Sequence, residues 1–137
     1  MKSKPRVSEV IKTVCNRQLS DFVAQTPGVV LAQLTTADGF AVASQPQTDS
    51  VPAKLAAMTS SMQALTEAIV AESGQRRSRN VIIESEDGHL VLMGIIGTDP
   101  PMSLLVVANR SAILGHLLWS ARNCSSTLGD LLGYQIK

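Results

Sequence analysis

With 137 residues, the chain has the size of one domain and can bury roughly two thirds of the surface its unfolded form exposes without disulfide or metal staples. Its 12 basic and 11 acidic residues leave a net charge of +1, which argues against binding to nucleic acid or to an anionic membrane. The aromatic residues are only Phe22, Phe40, Trp119 and Tyr134, too few for base-stacking platforms, so the core must be aliphatic.

Cys15 and Cys124 are the only cysteines, and each falls in a helical pattern. They read as buried thiols in a reducing compartment, not as a disulfide framework. The N-terminal MKSKPRVSEV is charged and lacks the apolar stretch of a signal peptide. The longest apolar run, Leu90 to Ile96, is far too short to cross a bilayer. The expected location is cytoplasmic, with no membrane insertion.

Residues 1–6 are basic, contain Pro5, and are expected to be a mobile N-terminus to a single domain over 7–137. Val7, Val10, Ile11, Val14, Leu19, Phe22 and Val23 predict a first amphipathic helix, irregular near Asn16 and ended by Pro27-Gly28. Val29 to Thr35 reads as a strand. Ala37-Asp38-Gly39 supplies a turn in which Gly39 can take positive φ, and Phe40 to Ser44 returns as a second strand.

A polar loop follows, in which Asp49 or Ser50 can cap a central helix with Pro52 in its first turn. That helix, Pro52 to Ser73, carries two stripes at spacings of three and four. Leu55, Met58, Met62, Leu65 and Ile69 form a stripe of large residues. Ala57, Ser61, Ala64, Ala68 and Ala71 form a stripe of small ones, about 110° away at 100° per residue. Thr59, Ser60, Gln63, Thr66 and Glu67 occupy the remaining face, expected to be solvated. The two stripes make either one wide core face or two separate packing faces. In the second case the large stripe is expected against the chain's own sheet and the small stripe against a partner helix.

Gly74 ends this helix, and the basic loop Gln75 to Arg79 leads into the β-branched strand Val81-Ile82-Ile83. Ser85 to Gly88 is a turn. His89 to Ile96 and Leu104 to Ala108, separated by the turn Gly97 to Pro101, are strands apolar on both faces, with Leu92 and Val106 expected in the centre of the sheet. Asn109 or Ser111 is expected to cap a last helix with the core stripe Ile113, Leu117, Ala121, Cys124, Leu128 and Leu131, flanked by Leu114, Leu118 and Leu132 and ended by Gly133. The order is α-β-β-α-β-β-β-α. Short turns between strands imply antiparallel pairing, and strands apolar on both faces imply a sheet covered on both sides.

No reaction centre is legible. There is no G-x-S-x-G elbow, Walker loop, H-E-x-x-H or C-x-x-C, and neither His89 nor His116 has a metal-ligand neighbour at helical spacing. The chain is therefore expected to have no catalytic residues, cofactor, metal or enzymatic activity of its own. Glu84, Glu86 and Asp87 cluster where a hairpin turn attracts such residues anyway. Arg76, Arg77 and Arg79 are either a solvated connector or a contact for an acidic patch on a partner, since guanidinium forks bind carboxylate or phosphate bidentately.

Three segments in this order resemble the roadblock/LC7 family: GVVLAQLTTADGFAVAS at 28–44, LAAMTSSMQALTEAIVAE at 55–72 and NVIIESEDGHLVLMGI at 80–95. The strand LLVVANRSAILG at 104–115 continues the match, so the resemblance spans about residues 7 to 132. It rests on a pattern of turns and apolar positions, not on one strict motif. It implies an α+β fold of the roadblock/profilin-like type: a five-stranded antiparallel sheet with the central helix on one face and the terminal helices on the other. It also implies a dimer built by the central helix and the third strand, and regulation of small Ras-like GTPases or service as a light-chain or scaffold subunit. Bacterial members often accompany a gliding or polarity GTPase. The family carries no strict catalytic motif.

Two functions compete: a homodimeric regulator of a small Ras-like GTPase, with a GTPase-activating protein as one candidate form, and a passive adaptor subunit of a larger complex. A ligand sensor is weaker, since no convergent polar lining is visible. The expected dimer interface is Ala57, Ser61, Ala64, Ala68 and Ala71 with Val81, Ile82 and Ile83, because an apolar edge strand without a proline or lysine guard tends to be paired. Trp119 points away from the core stripe of its helix at 100° per residue. It either covers the side of the first helix or contacts a partner protein.

Overall fold

A computed structural model describes residues 8–47, 53–98 and 101–136. The elements follow the expected order: α1 (Glu9–Gln25), β1 (Val29–Thr36), β2 (Ala41–Gln45), α2 (Ala53–Glu72), β3 (Val81–Ser85), β4 (Gly88–Ile95), β5 (Met102–Asn109) and α3 (Leu114–Ile136). The expected mobile segment 1–6, the cap at Asp49 or Ser50, the fit of Pro52 and the turn residues Asp99-Pro100 lie outside the described residues, as does the side chain of Tyr134.

The strands form one sheet in the order β2-β1-β5-β4-β3, and every neighbouring pair is antiparallel. β5 lies at the centre and β3 at one edge. Side chains alternate across a strand, so each strand feeds two different layers. Leu34, Val91, Leu104 and Val106 face α1 and α3, where they meet Leu19, Phe22, Leu117, Leu128 and Leu132 in the hydrophobic core. The intervening positions Gln33, Thr35, Leu92, Ser103 and Leu105 face the other way and are also buried. α2 crosses that second face: a Cβ placed on Gly94, which shares the face of Leu92, would sit 3.5 Å from Gln63 Nε2 of α2.

α1 is capped by Ser8, whose Oγ accepts from the Ile11 amide at 3.2 Å. Its core stripe is Ile11, Cys15, Leu19, Phe22 and Val23, whereas Val10 is 64% exposed. The spacing that includes Cys15 is the true helical face. The irregularity at Asn16 has a cause: its Oδ1 accepts from the Ser44 amide at 3.1 Å and from Gln45 Nε2 at 3.3 Å, which ties α1 to the edge strand β2. α2 ends at Gly74 as expected, with the Gly74 amide on the Ala71 carbonyl and the Gln75 amide on the Val70 carbonyl, the paired bonds of a Schellman motif.

The last helix differs from expectation at both ends. Asn109 Oδ1 accepts from the Ser111 amide at 3.0 Å within the preceding turn, and the helix begins later, at Leu114. Ile113 precedes it and is exposed, and the buried stripe runs Leu117, Ala121, Cys124, Leu128 and Leu132. Gly133 does not end the helix, which continues to Ile136. The glycines serve close packing instead: a Cβ on Gly129 would run into the Ile96 carbonyl, and one on Gly133 would lie 3.3 Å from the Gly97 carbonyl.

Leu92 and Val106 are buried in adjacent inner strands, as expected. Truncating Leu92 to Ala should cost about 2–5 kcal/mol in urea unfolding. A loss under about 1 kcal/mol would show that the α2 face of the sheet contributes little to stability.

Cys15 and Cys124 are free and buried. Burial pushes the Cys15 thiol up to about 11, and burial together with the nearby Cys15 pushes Cys124 up to about 12. The folded state therefore keeps both protons above the ordinary thiol value of 9.0. Stability from this source is intact below that value and falls as the pH climbs toward the raised values. Both thiols should ignore Ellman's reagent at pH 8 until the protein is unfolded, and Tm should fall, not rise, above pH 9.

Candidate interaction surface

The side chains that α2 turns toward its own sheet are Ala56 and Thr59, both buried, with Ser60, Gln63, Glu67 and Val70 half-buried beside them. This reverses the expectation for the helix. The face expected to be solvated is the face on the sheet, and the stripe of large residues expected on the sheet is exposed at Met58 58%, Met62 38%, Leu65 58% and Ile69 60%, with Leu55 half-buried. The reason lies in the strands beneath. Gln33, Thr35 and Ser103 set polar groups beside Leu92 and Leu105 on this side of the sheet, so it suits the mixed face of Ala56, Thr59 and Gln63 better than an unbroken row of methionines and leucines. Thr59 Oγ1 turns back to the Leu55 carbonyl at 2.8 Å, and Gln63 Nε2 donates to Glu67 Oε2 at 2.8 Å, whereas both side-chain polar atoms of Gln33, Thr35 Oγ1 and Gln63 Oε1 are buried in the seam without a hydrogen-bond partner among the described residues.

At about 100° per residue, the large stripe lies about 130° and the small stripe about 110° from the direction that faces the sheet. Both point outward. Ala57, Ser61, Ala64, Ala68 and Ala71 are all exposed. Beside them, at the sheet edge, Ile82 and Ile83 of β3 are 41% and 39% exposed and Val81 is half-buried. Ile83 pairs with Leu90, which shares the face of Leu92, so Ile83 lies on the side of the sheet that carries α2. The five small residues of α2 thus lie on the same side of the sheet as Val81 and Ile83, together with a large stripe that was expected inside, whereas Ile82, paired with Val91, points to the opposite face.

Arg76, Arg77 and Arg79 are exposed in the loop between α2 and β3. Arg77 and Arg79 border a cleft of about 1030 Å³ that reaches across to Arg122 on α3. Trp119 lies in the opposite layer. It is 64% exposed and stacks on His116 with ring centroids 6.3 Å apart and planes at 21°. A shallow groove of about 250 Å³ beside it is lined by Gln18, Phe22 and Gln25 of α1. Trp119 therefore borders the first helix without being covered by it.

Two features escaped sequence reasoning. One is Arg122, whose Nη2 donates to Asn80 Oδ1 at 3.1 Å and so links α3 to the start of β3. The other is the polar seam. Its signal was present, because Gln33 and Thr35 alternate with apolar residues in β1 while Thr59 and Gln63 recur at helical spacing. Among the described residues no group of three or more His, Cys, Asp or Glu side chains gathers where it could hold a metal, and no helix is long and apolar enough to cross a membrane. The surface offers exposed apolar residues along α2 and β3, with arginine at its margin.

The fold has close structural counterparts. The Myxococcus xanthus MglB structure superposes with a TM-score of 0.78 at 18% identity, over 100% of this chain and 98% of that one. An MglB structure with a tetrameric arrangement gives 0.80 at 19% identity, over 95% and 97%. The gliding protein MglB from Thermus thermophilus gives 0.79 at 19% identity, over 95% and 98%. No curated protein sequence is significantly similar to the chain. The Roadblock/LC7 domain model matches residues 16–96, which include β1, β2, α2, β3 and β4, and on that match the chain belongs to the roadblock/LC7 family.

Proposed function

We propose that the protein is a dimeric regulator of a small Ras-like GTPase that acts by contact and performs no chemistry of its own. The observation that carries the reading is the outward apolar face of α2 beside an open apolar edge strand. Fully burying a side chain such as Leu65 or Ile69 is worth about 1.5–3 kcal/mol relative to leaving it exposed, and exposed apolar patches of this kind mark interaction surfaces. The family and the likeness to MglB, one structure of which is described as tetrameric, support self-association and a regulatory role.

In the proposed dimer β3 pairs with its copy across a two-fold axis, which makes the two strands antiparallel and the interface self-complementary. Val81, Ile82 and Ile83 contribute the strand contact. The small residues Ala57, Ser61, Ala64, Ala68 and Ala71 let the two α2 helices approach closely, and Met62, Leu65 and Ile69 fill the flanks. Arg76, with Arg77 and Arg79, stands at the margin of this surface as a contact for acidic groups of the partner. Trp119 offers a second face in the opposite layer, and aromatic residues in such settings are frequent hot spots of binding.

Light scattering at micromolar concentration should give the mass of a dimer. Leu65→Glu and Ala64→Arg alter exposed positions, so each should leave the fold intact and weaken the dimer by about tenfold or more. A monomeric wild type would overturn the dimer. A variant that stays fully dimeric would remove its stripe from the interface. Pull-down against a GTPase encoded beside this chain, loaded in turn with GDP and a GTP analogue, tests the regulator. Preference for one nucleotide state is expected, and equal binding to both would make the protein an adaptor.

A further inference from the structure

β3 does not cover the whole of β4. Its pairing begins at Val81 opposite Leu92, whereas β4 stays paired with β5 through Gly94 opposite Ser103 and Ile95 opposite Met102. The last three residues of β4 therefore have a strand on one side only. The ladder fixes which peptide groups are free. The Asn109 amide of β5 donates to the Gly28 carbonyl at 2.8 Å, so it points toward β1 and away from β4. Peptide groups alternate sides along a strand, so Ser103 also points toward β1. Gly94, opposite Ser103, then presents its N–H and C=O to the open edge. Among the described residues, no backbone hydrogen bond from the loop at 75–80 reaches Met93 to Ile96.

This edge forms the floor of the 1030 Å³ cleft, whose charged lining is Arg77, Arg79, Arg122, Glu67 and Asp130. Glu67 is already engaged: its Oε2 accepts from Gln63 Nε2 at 2.8 Å and its Oε1 from the Ser78 amide at 3.5 Å. The cleft therefore combines an unpaired strand edge with an excess of guanidinium groups.

We propose that this edge accepts a short, extended, acidic segment of a partner protein, which adds a strand to β4 in line with β3. Main-chain bonds to Gly94 supply the attachment, and carboxylates of the segment meet Arg77, Arg79 and Arg122. The basic start of this chain, with Lys2, Lys4 and Arg6, has the wrong charge to be the occupant. A copy of β3 paired across the dimer axis would lie beyond β3 and would leave this position free. Binding at this edge does not depend on whether the partner of α2 is a GTPase.

A fluorescein-labelled hexapeptide of alternating glutamate and valine, titrated into the full-length protein and followed by anisotropy, tests it. Saturable binding that salt weakens is expected, with none for the lysine–valine counterpart. Arg79→Glu with Arg122→Glu, and separately Arg77→Glu with Arg79→Glu, should each weaken binding by about tenfold or more. N-methylation of alternate peptide amides keeps the charges and removes the main-chain donors, and it should also weaken binding by about tenfold or more. Amide exchange at Gly94 should slow when the glutamate peptide binds. Absence of binding, binding that survives N-methylation, or unchanged exchange at Gly94 would each overturn the proposal. The pull-down with loaded GTPase shares Arg77 and Arg79 with this test, but N-methylation and exchange at Gly94 read the strand edge alone, so either result can fail alone.

Discussion

The arrangement depends on the polar seam between α2 and its own sheet. Gln33, Thr35 and Ser103 line one side, and Thr59 and Gln63 line the other. Gln33 and Thr35 already keep unpartnered polar atoms beneath α2, at about 1–3 kcal/mol each, and a covering stripe of methionine, leucine and isoleucine would offer them no polar group within reach. The large residues of α2 must then point outward. Of the 20 residues of α2, only Ala56 and Thr59 are buried, so the helix gains little apolar stabilisation from its own chain. The opposite face of the sheet supplies it, through the aliphatic core shared with α1 and α3.

This division of labour separates stability from recognition. One layer holds the fold, and its buried thiols and aliphatic side chains are closed to partners. The other layer holds α2 and the edge strand β3, whose outward apolar residues are left exposed by the described residues of the chain. Contacts made there can form and break without unfolding the core. The short β3 has a second consequence, since it leaves the last residues of β4 without a strand on their outer edge, in a cleft bordered by arginines of the loop after α2 and of α3. The interaction surface and the open edge are thus products of the same topology, which sets a five-residue strand at the edge of a sheet whose inner strands are eight residues long.

Much of the fold was legible in the sequence, because turns and hydrophobic runs are local signals. All eight elements, their order and the antiparallel pairing followed from Pro27-Gly28, Asp38-Gly39, Gly74, Glu86-Asp87-Gly88 and the apolar strands between them. The facing of α2 was not legible. Two stripes on one helix look alike to periodicity, and the usual presumption that the larger side chains go inward failed because the deciding residues, Gln33 and Thr35, lie in another element. The ends of α3 were misread for a related reason. Gly133 resembles a helix terminator, but Gly129 and Gly133 are there to let α3 approach the carbonyls of Ile96 and Gly97, a contact distant in sequence. Asn16 is the intermediate case: its disturbance of the α1 pattern was visible, but its bond to Ser44 on β2 was not.

The central claim is that the large stripe of α2 faces outward and is covered only by assembly. Hydroxyl-radical footprinting read by mass spectrometry, from micromolar to nanomolar protein, tests it on four methionines: Met58 and Met62 are exposed on α2, whereas Met93 and Met102 are buried in the sheet. The account predicts that Met62 is protected at high concentration and becomes reactive on dilution, while Met93 and Met102 stay protected throughout. Protection of Met62 at every concentration, in a sample whose mass has fallen to that of the monomer, would place the large stripe against its own sheet and contradict the account.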